Sequence, residues 1–398
     1  MNLSHVSLAA LSLWTLSSGT ALAGGVIQVD DDKSINIGLL LQPQLQMAQV
    51  LDANGDTDYY SFDPFVRRTR ILMGGQFTKW VNFFVDTDNP NLGMGGFTST
   101  TYIQDAWVEA NIAPYLQIDA GLLLLPFSHQ GIQSAGALHT MDYHGALMKY
   151  PTGSHLVWRD TGIQFRGLVA KKKLEYRLAI TNGLDSDNLY NTGTVMMNEK
   201  DKPRFVGRLQ VNAMEAEGGP GAKGYFYKGI NIEKEGKKIK NNKKVLSFGG
   251  SFDFQPDASI DGNGELTNYM AMAGDVILDM PIGGKAQGVT AQANVYNYNY
   301  GEKNANTAMG VAFEAGYRMN AVEPLVIFDM WNVKGDPDAD DVVNEAGDMT
   351  TVAFGLNWWA LAHNANLKLQ IGATQKKDGT DAEDKYLLTS ALQGQLLF

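Results

Sequence analysis

The chain has 398 residues, no cysteine and a formal net charge of −11. The acidic balance argues against nucleic acid as a partner, and the lack of cysteine excludes a disulfide framework. A chain this long without staples needs a large core or a closed sheet.

The first segment, "MNLSHVSLAALSLWTLSSGTALAGG", carries an apolar run from Leu8 to Leu16 and then Ala21-Leu22-Ala23. The run is too short to span a bilayer as a helix, and the small residues form an A-x-A cleavage pattern. Residues 1–23 are therefore expected to be a signal peptide, although the n-region has no Lys or Arg. No later stretch holds 18 consecutive apolar residues, so no transmembrane helix is expected. The other architecture that satisfies every backbone group in lipid is a closed β-barrel.

From Ser34 onward the chain alternates with a period of two, interrupted by polar breaks. Ser34–Val50 is the first expected strand. Phe65–Phe77 follows, with Phe65, Thr69, Ile71, Met73 and Phe77 on one face and Arg68, Arg70 and Gln76 on the other. Then come Trp80–Asp86, Tyr102–Ile112, Leu116–Leu125, Thr161–Val169, Leu174–Thr181 and Arg204–Asn212. The second half gives Val245–Gln255, Asn268–Met280, Gly288–Tyr300, Ala308–Arg318, Leu325–Val333, Thr350–Trp359 and Asn366–Thr374. The last strand, "KYLLTSALQGQLLF", ends on Phe398. The total is about sixteen, an even number as bacterial membrane barrels require.

Connection lengths test this independently. Long segments (Val50–Phe65, Asp86–Tyr102, Pro126–Asp160, Lys334–Met349, Lys376–Asp384) alternate with short ones such as Thr78-Lys79, Ala113–Tyr115 and Ala170–Lys173. A soluble sandwich has no reason to keep that parity. The expected fold is thus all-β, an antiparallel transmembrane barrel. The Lys-rich stretch Ala213–Lys244 breaks the parity, being an insertion or a source of extra strand, and leaves sixteen or eighteen strands open. Tyr296, Tyr298 and Tyr300 break the pattern differently, since they share the parity of the polar Thr290, Gln292 and Asn294. Trp80, Tyr115, Trp158, Trp331, Trp358, Trp359 and Tyr386 sit near strand ends, where interfacial aromatic girdles lie.

Several motifs carry chemistry only weakly. Asp52, Asn54, Asp56 and Asp58 alternate as in calcium loops, without the downstream bidentate Glu. His129, His139, His144 and His155 share one connection, but no pair has tight ligand spacing, so no metal or other cofactor is expected. Asp, His and Ser appear without a nucleophile context such as G-x-S-x-G, so the chain is not expected to be an enzyme.

The stretches "FVRRTRILMGGQFTKWVNFFVDTDNPN", "LQIDAGLLLLPFSHQ", "WRDTGIQFRG", "YRLAITNGLDSDN" and "FGLNWWALAHNANLKLQ", with the terminal Phe398, resemble the phosphate-selective porin O and P family of Gram-negative outer membranes. The resemblance implies a homotrimer of sixteen-stranded barrels in the outer membrane. It implies that residues 24–398 form one porin domain, with 126–160 folded inward as a constriction loop. It also implies that the assembly machinery reads the terminal aromatic. Small hydrophilic solutes or ions and outer-membrane lipid are the partners expected. The alternatives are a barrel that sheathes a partner protein and a secreted adhesive β-protein.

Parity assigns the lumen face strand by strand, and Arg159, beside the inward loop, is added because its convergence there with Arg68 and Arg70 would make a local anion site. Arg68, Arg70, Asp105, Glu109, Asp119, Arg159, Arg166, Arg177, Arg208, Asp275, Asp329 and Lys368 are the candidate pore-lining residues. Lys385, Glu175, Asp253 and Asp279 share the face. The two signs nearly balance, and the loop "GDPDADD" (Gly335–Asp341) is acidic. A porin with weak ion selectivity is therefore expected in place of the phosphate specificity that the family name implies.

Overall fold

The computed structural model describes residues 24–51, 57–94, 100–145, 147–148, 158–184, 200–219, 233–234, 237–238, 243–260, 265–282, 287–300, 307–334, 347–377 and 385–398. The expected signal peptide, His155, the acidic loop 335–341 and all but Asp58 of the calcium-like motif lie outside them. No described helix is long and apolar enough to cross a membrane, which says nothing of crossing by strands.

The strands are β1 (Gly25–Asp30), β2 (Lys33–Leu51), β3 (Thr57–Thr78), β4 (Val81–Asp88), β5 (Tyr102–Ala113), β6 (Leu116–Leu124), β7 (Arg159–Val169), β8 (Leu174–Thr181) and β9 (Arg204–Asn212). Two-residue pieces β10 (Glu233–Lys234) and β11 (Lys237–Lys238) pair only with each other. They are followed by β12 (Val245–Ile260), β13 (Leu266–Ile282), β14 (Gln287–Asn299), β15 (Ala308–Met319), β16 (Val322–Val333), β17 (Met349–Trp358), β18 (Ala365–Lys376) and β19 (Lys385–Leu397).

Every neighbour in the wall is antiparallel, and the sheet closes. β9 pairs with β12, and the last strand returns to the first long one, with Leu396 opposite Leu41. Residues Leu39 and Phe398 exchange two backbone hydrogen bonds of 2.9 Å at the seam. β2 to β9 and β12 to β19 make a closed sixteen-stranded antiparallel barrel. The Lys-rich stretch adds no wall strand among its described residues, which answers the question of sixteen or eighteen.

The period of two has its expected cause. One face of each strand carries Ile, Leu, Val and Phe that stay exposed on the outside, as Ile71, Phe252, Phe354 and Ile371 do. The opposite face is polar and almost fully covered. An apolar exterior around a polar interior inverts the soluble arrangement and matches a lipid surround.

Four expectations need correction. The connection Val50–Phe65 is not a long loop. β2 and β3 continue as a paired ribbon, with Val50 opposite Tyr59 and Leu51 opposite Thr57. Phe65 does not share the outer face of Ile71 and Met73. The β2–β3 register shifts where Gln42 pairs with Arg68 and Pro43 with Val66, which gives β3 an extra residue at Arg67. A bulge of one residue swaps faces beyond it, so Phe65 is buried while Ile71 is exposed. Not all strand-end aromatics form girdles. Trp80, Tyr115, Trp358 and Tyr386 are exposed, but Trp331 and Trp359 turn inward, and Trp158 packs on Tyr143. Finally, β1 was not expected. It pairs with β2 from Lys33 to Ile37, beyond the point where β19 stops.

Candidate functional site

The interior is organised by the connection between β6 and β7. After Leu124 the chain turns into the barrel instead of over its rim. Two short 3₁₀ turns, Gln130–Ile132 and Ala135–Ala137, carry it across. Its described residues, 125–145 with 147–148 and 158, are anchored on most of the wall.

The first anchor is apolar. Leu125, Phe127, Leu147 and Met148 pack against Tyr269, Tyr296, Tyr298, Tyr300 and Trp331. These tyrosines occupy lumen positions where water-facing polar residues are the rule. Their hydroxyls also serve the loop: Tyr298 donates to the Leu147 carbonyl at 3.0 Å and Tyr296 to Ser128 Oγ at 3.3 Å. The anomalous parity of Tyr296, Tyr298 and Tyr300 is thus a platform for an inserted segment.

The second anchor is ionic. Asp142 accepts from Arg67 Nε at 2.6 Å and Arg68 Nη2 at 2.5 Å. Burial alone would push its carboxyl up, but the two guanidiniums hold it well below the usual carboxylate range. His139 lies between Glu323, at 3.2 Å, and Glu314, at 3.7 Å. His144 bonds Asp329 through Nδ1 and Glu314 through Nε2, the latter at 3.1 Å. Burial would lower both imidazoles. The facing carboxylates outweigh it, led by Glu323 for His139 and Asp329 for His144, and raise them to about 9 and about 10. Both rings therefore carry charge at neutral pH and tie the loop to β15 and β16. His129 bonds Glu217, which follows β9 at the short-turn end, and its backbone N–H donates to Asp275 at 3.0 Å.

The third anchor is made of backbone carbonyls. Lys368 Nζ donates to Leu138 and Thr140 at 2.7 and 2.8 Å. Asn357 donates to the His139 carbonyl at 2.8 Å, and Gln395 to Gly136 at 2.9 Å. These wall donors satisfy a loop that would otherwise bury unpaired backbone groups.

The twelve sequence-derived residues divide into two sets. Arg68, Asp329 and Lys368 meet the loop through side chains and carbonyls, and Asp275 accepts from the His129 backbone N–H. The others pair chiefly along the wall from β3 to β13. Arg70 bonds Asp88 at 2.8 Å, and Arg159 bonds Asp105 at 2.9 and 3.2 Å. Arg166 bridges Glu109 and Asp119, Arg177 bonds Glu175 at 2.9 Å, and Arg208 bonds Asp275 at 2.5 and 2.7 Å. Among the described residues, buried carboxylates outnumber buried Arg and Lys. The sequence reading missed Arg67, which only the bulge turns inward. It also missed Asp86, Asp88, Arg204, Glu314, Arg318 and Glu323. The period-two pattern that gave Asp329 also places Glu323, and it could have found Glu314.

Among the described residues no group of three or more His, Asp or Glu is placed to hold a metal ion. The described loop histidines, His129, His139 and His144, face carboxylates.

The fold is that of outer-membrane porins. No family model and no curated protein sequence matches the chain. Solved structures do. Salmonella typhi OmpF superposes with a TM-score of 0.59 at 10% identity, covering 94% of this chain and all of that one. The Acinetobacter baumannii outer-membrane channel DcaP gives 0.58 at 12%, covering 95% and 100%. An anion-selective porin from Comamonas acidovorans gives 0.56 at 9%, covering 92% and 100%. At these identities the likeness is one of fold.

Proposed function

We propose that the mature chain is an outer-membrane porin through which small hydrophilic solutes and ions diffuse passively. Supporting this is one observation above others: a closed barrel with an apolar exterior and an ion-paired interior, crossed by an inserted loop. In this reading residues 1–23 direct export, residues 126–160 set the constriction, and the twelve named charges line the path. The family resemblance extends it to a homotrimer whose Phe398 is read during assembly.

Ion selectivity is weak in this proposal. An anion site needs Arg or Lys whose charge is not already met. Arg68 and Arg67 converge on Asp142 with one positive charge in excess, but Arg159 is paired with Asp105 and carboxylates outnumber Arg and Lys among the buried described residues. The test is a planar-bilayer recording with a KCl gradient. Stepwise conductance with a reversal potential near zero is expected. Strong anion preference with block by micromolar phosphate would instead establish phosphate selectivity.

A second reading, a barrel that sheathes a partner, draws on the close packing of the loop against the wall tyrosines. The same recording separates the two, because a sheath gives no conductance steps. Recovery as a soluble protein without detergent would sink both.

A further inference from the structure

On the long-loop side of residues 140–144 lies a cavity of about 390 Å³. That size falls in the roughly 300–1,000 Å³ range of small-molecule sites. Resting on the porin reading, we infer that this cavity is a subsite for uncharged polyhydroxylated solutes of the oligosaccharide class, which pause there on the way to the constriction.

The lining carries the argument. Its charged groups are already engaged with one another. Arg67 Nε lies 2.6 Å from Asp142 Oδ2, and His144 Nδ1 is bonded to Asp329 Oδ1. Arg68 shares the same Asp142, so the hydrogen-bonding positions of these charges are turned on each other, and an entering ion must shed water to compete for them, which is costly. The groups still open are neutral. Gln370 and Thr389 make no side-chain hydrogen bond among the described residues. Gln46 accepts from Gln44 at 3.4 Å and keeps its own amide N–H groups available. Amides and hydroxyls offer donors and acceptors together. A sugar hydroxyl, which is both at once, is the solute group that uses them fully.

The rest of the cavity fits the other half of such a solute. Phe65, Met141 and Ile327 form apolar wall between the polar groups. Phe65 is there only because the bulge at Arg67 turns it inward. Pyranose rings present apolar C–H faces alongside their hydroxyls, and an aromatic or aliphatic wall flanked by amides covers both.

The experiment uses the full mature chain reconstituted in planar bilayers, with maltotriose and inorganic phosphate as probes at equal osmolarity. Maltotriose is expected to interrupt the single-channel current at millimolar concentration, and phosphate is not. Removing two neutral hydrogen-bonding side chains in Gln46→Ala/Gln370→Ala should raise the half-blocking concentration of maltotriose about tenfold. Conductance steps without maltotriose block would overturn the inference while leaving the porin reading intact, and so would block that the double variant does not weaken or block that phosphate matches. Absence of any steps would overturn the porin reading and this subsite with it.

Discussion

Loop docking is expected to weaken as pH rises, because His139 and His144 hold their protons far above the ordinary histidine range. His139 faces Glu314 on β15, Glu323 on β16 and Thr290 on β14, with Asp279 on β13 within electrostatic reach. Its pKa is about 9 when docked, against 6.5 for an ordinary histidine. Below pH 6.5 both the docked and the released loop are protonated, so the gain from charge pairing is complete. Between these values the released loop gives up its proton and the docked loop keeps it, so the gain declines. It amounts to about 3 kcal/mol at pH 6, roughly 2 at pH 7.5 and under about 0.5 at pH 9. His144, at about 10, loses its contribution higher still. The two share Glu314, so their terms do not simply add. The assay is proteolytic nicking within 125–148, with single-channel conductance, from pH 6 to pH 10. Nicking should rise and conductance should become larger and noisier through pH 8–10. A substitution that touches no charge supplies the control. A methyl at Gly316 would stand 2.5 Å from His139 Nε2 and 3.0 Å from Glu323 Oε1, so Gly316→Ala should displace the ring. That variant should behave near neutral pH as the parent does near pH 9. Flat profiles in both proteins would refute the reasoning.

Three other outcomes follow, two from the loop anchors and one from the seam. Asp142→Asn leaves Arg67 and Arg68 sharing a neutral amide, should cost roughly 1–3 kcal/mol of loop docking, and should move the reversal potential toward anions. An unchanged potential would place Asp142 off the ion path. Tyr298→Ala removes the centre of the aromatic platform. It should cost about 3–5 kcal/mol, read as faster nicking of residues 125–148 with the barrel's heat resistance retained. Deleting Phe398 removes two seam hydrogen bonds and the terminal ring, and should lower the yield of heat-modifiable barrel while export continues. Normal yield would count against a recognition role for that ring.

The barrel was legible because each wall strand repeats one local rule. Residues two apart meet the same solvent, so pattern alone gave about sixteen strands, with eighteen left open by the Lys-rich stretch, and Leu174–Thr181 and Arg204–Asn212 fell on their observed bounds. The ribbon past Val50 was missed because Tyr59, Tyr60 and Phe62 beyond it are exposed without a lipid-against-water contrast. The bulge at Arg67 was missed because one inserted residue leaves no mark in composition. The site was legible as a set of inward charges but not as a set of partners. His139 with Glu314, and Asp142 with Arg68, are far apart in sequence, and only closure of the sheet brings them together. Tyr296 and Tyr298 did leave a trace, as a face of the wrong polarity.

The short strand β1 bears on how the ring is joined. β2 is the longest partner of β19, yet β19 reaches only to Leu40, where Leu397 pairs, and to Leu39 through Phe398. Residues Lys33 to Ile37 would present a raw row of amides and carbonyls on that side. β1 folds back through Asp31-Asp32 and covers this row, from Gly25 opposite Ile37 to Asp30 opposite Lys33. The first seven residues after the expected cleavage point thus act as a cuff at the splice of the ring. An export site shifted by even a few residues toward Asp30 would fray the splice, since an uncovered strand edge recruits other strands. If residues 1–23 are removed as expected, the position of that cleavage becomes a structural parameter of the barrel.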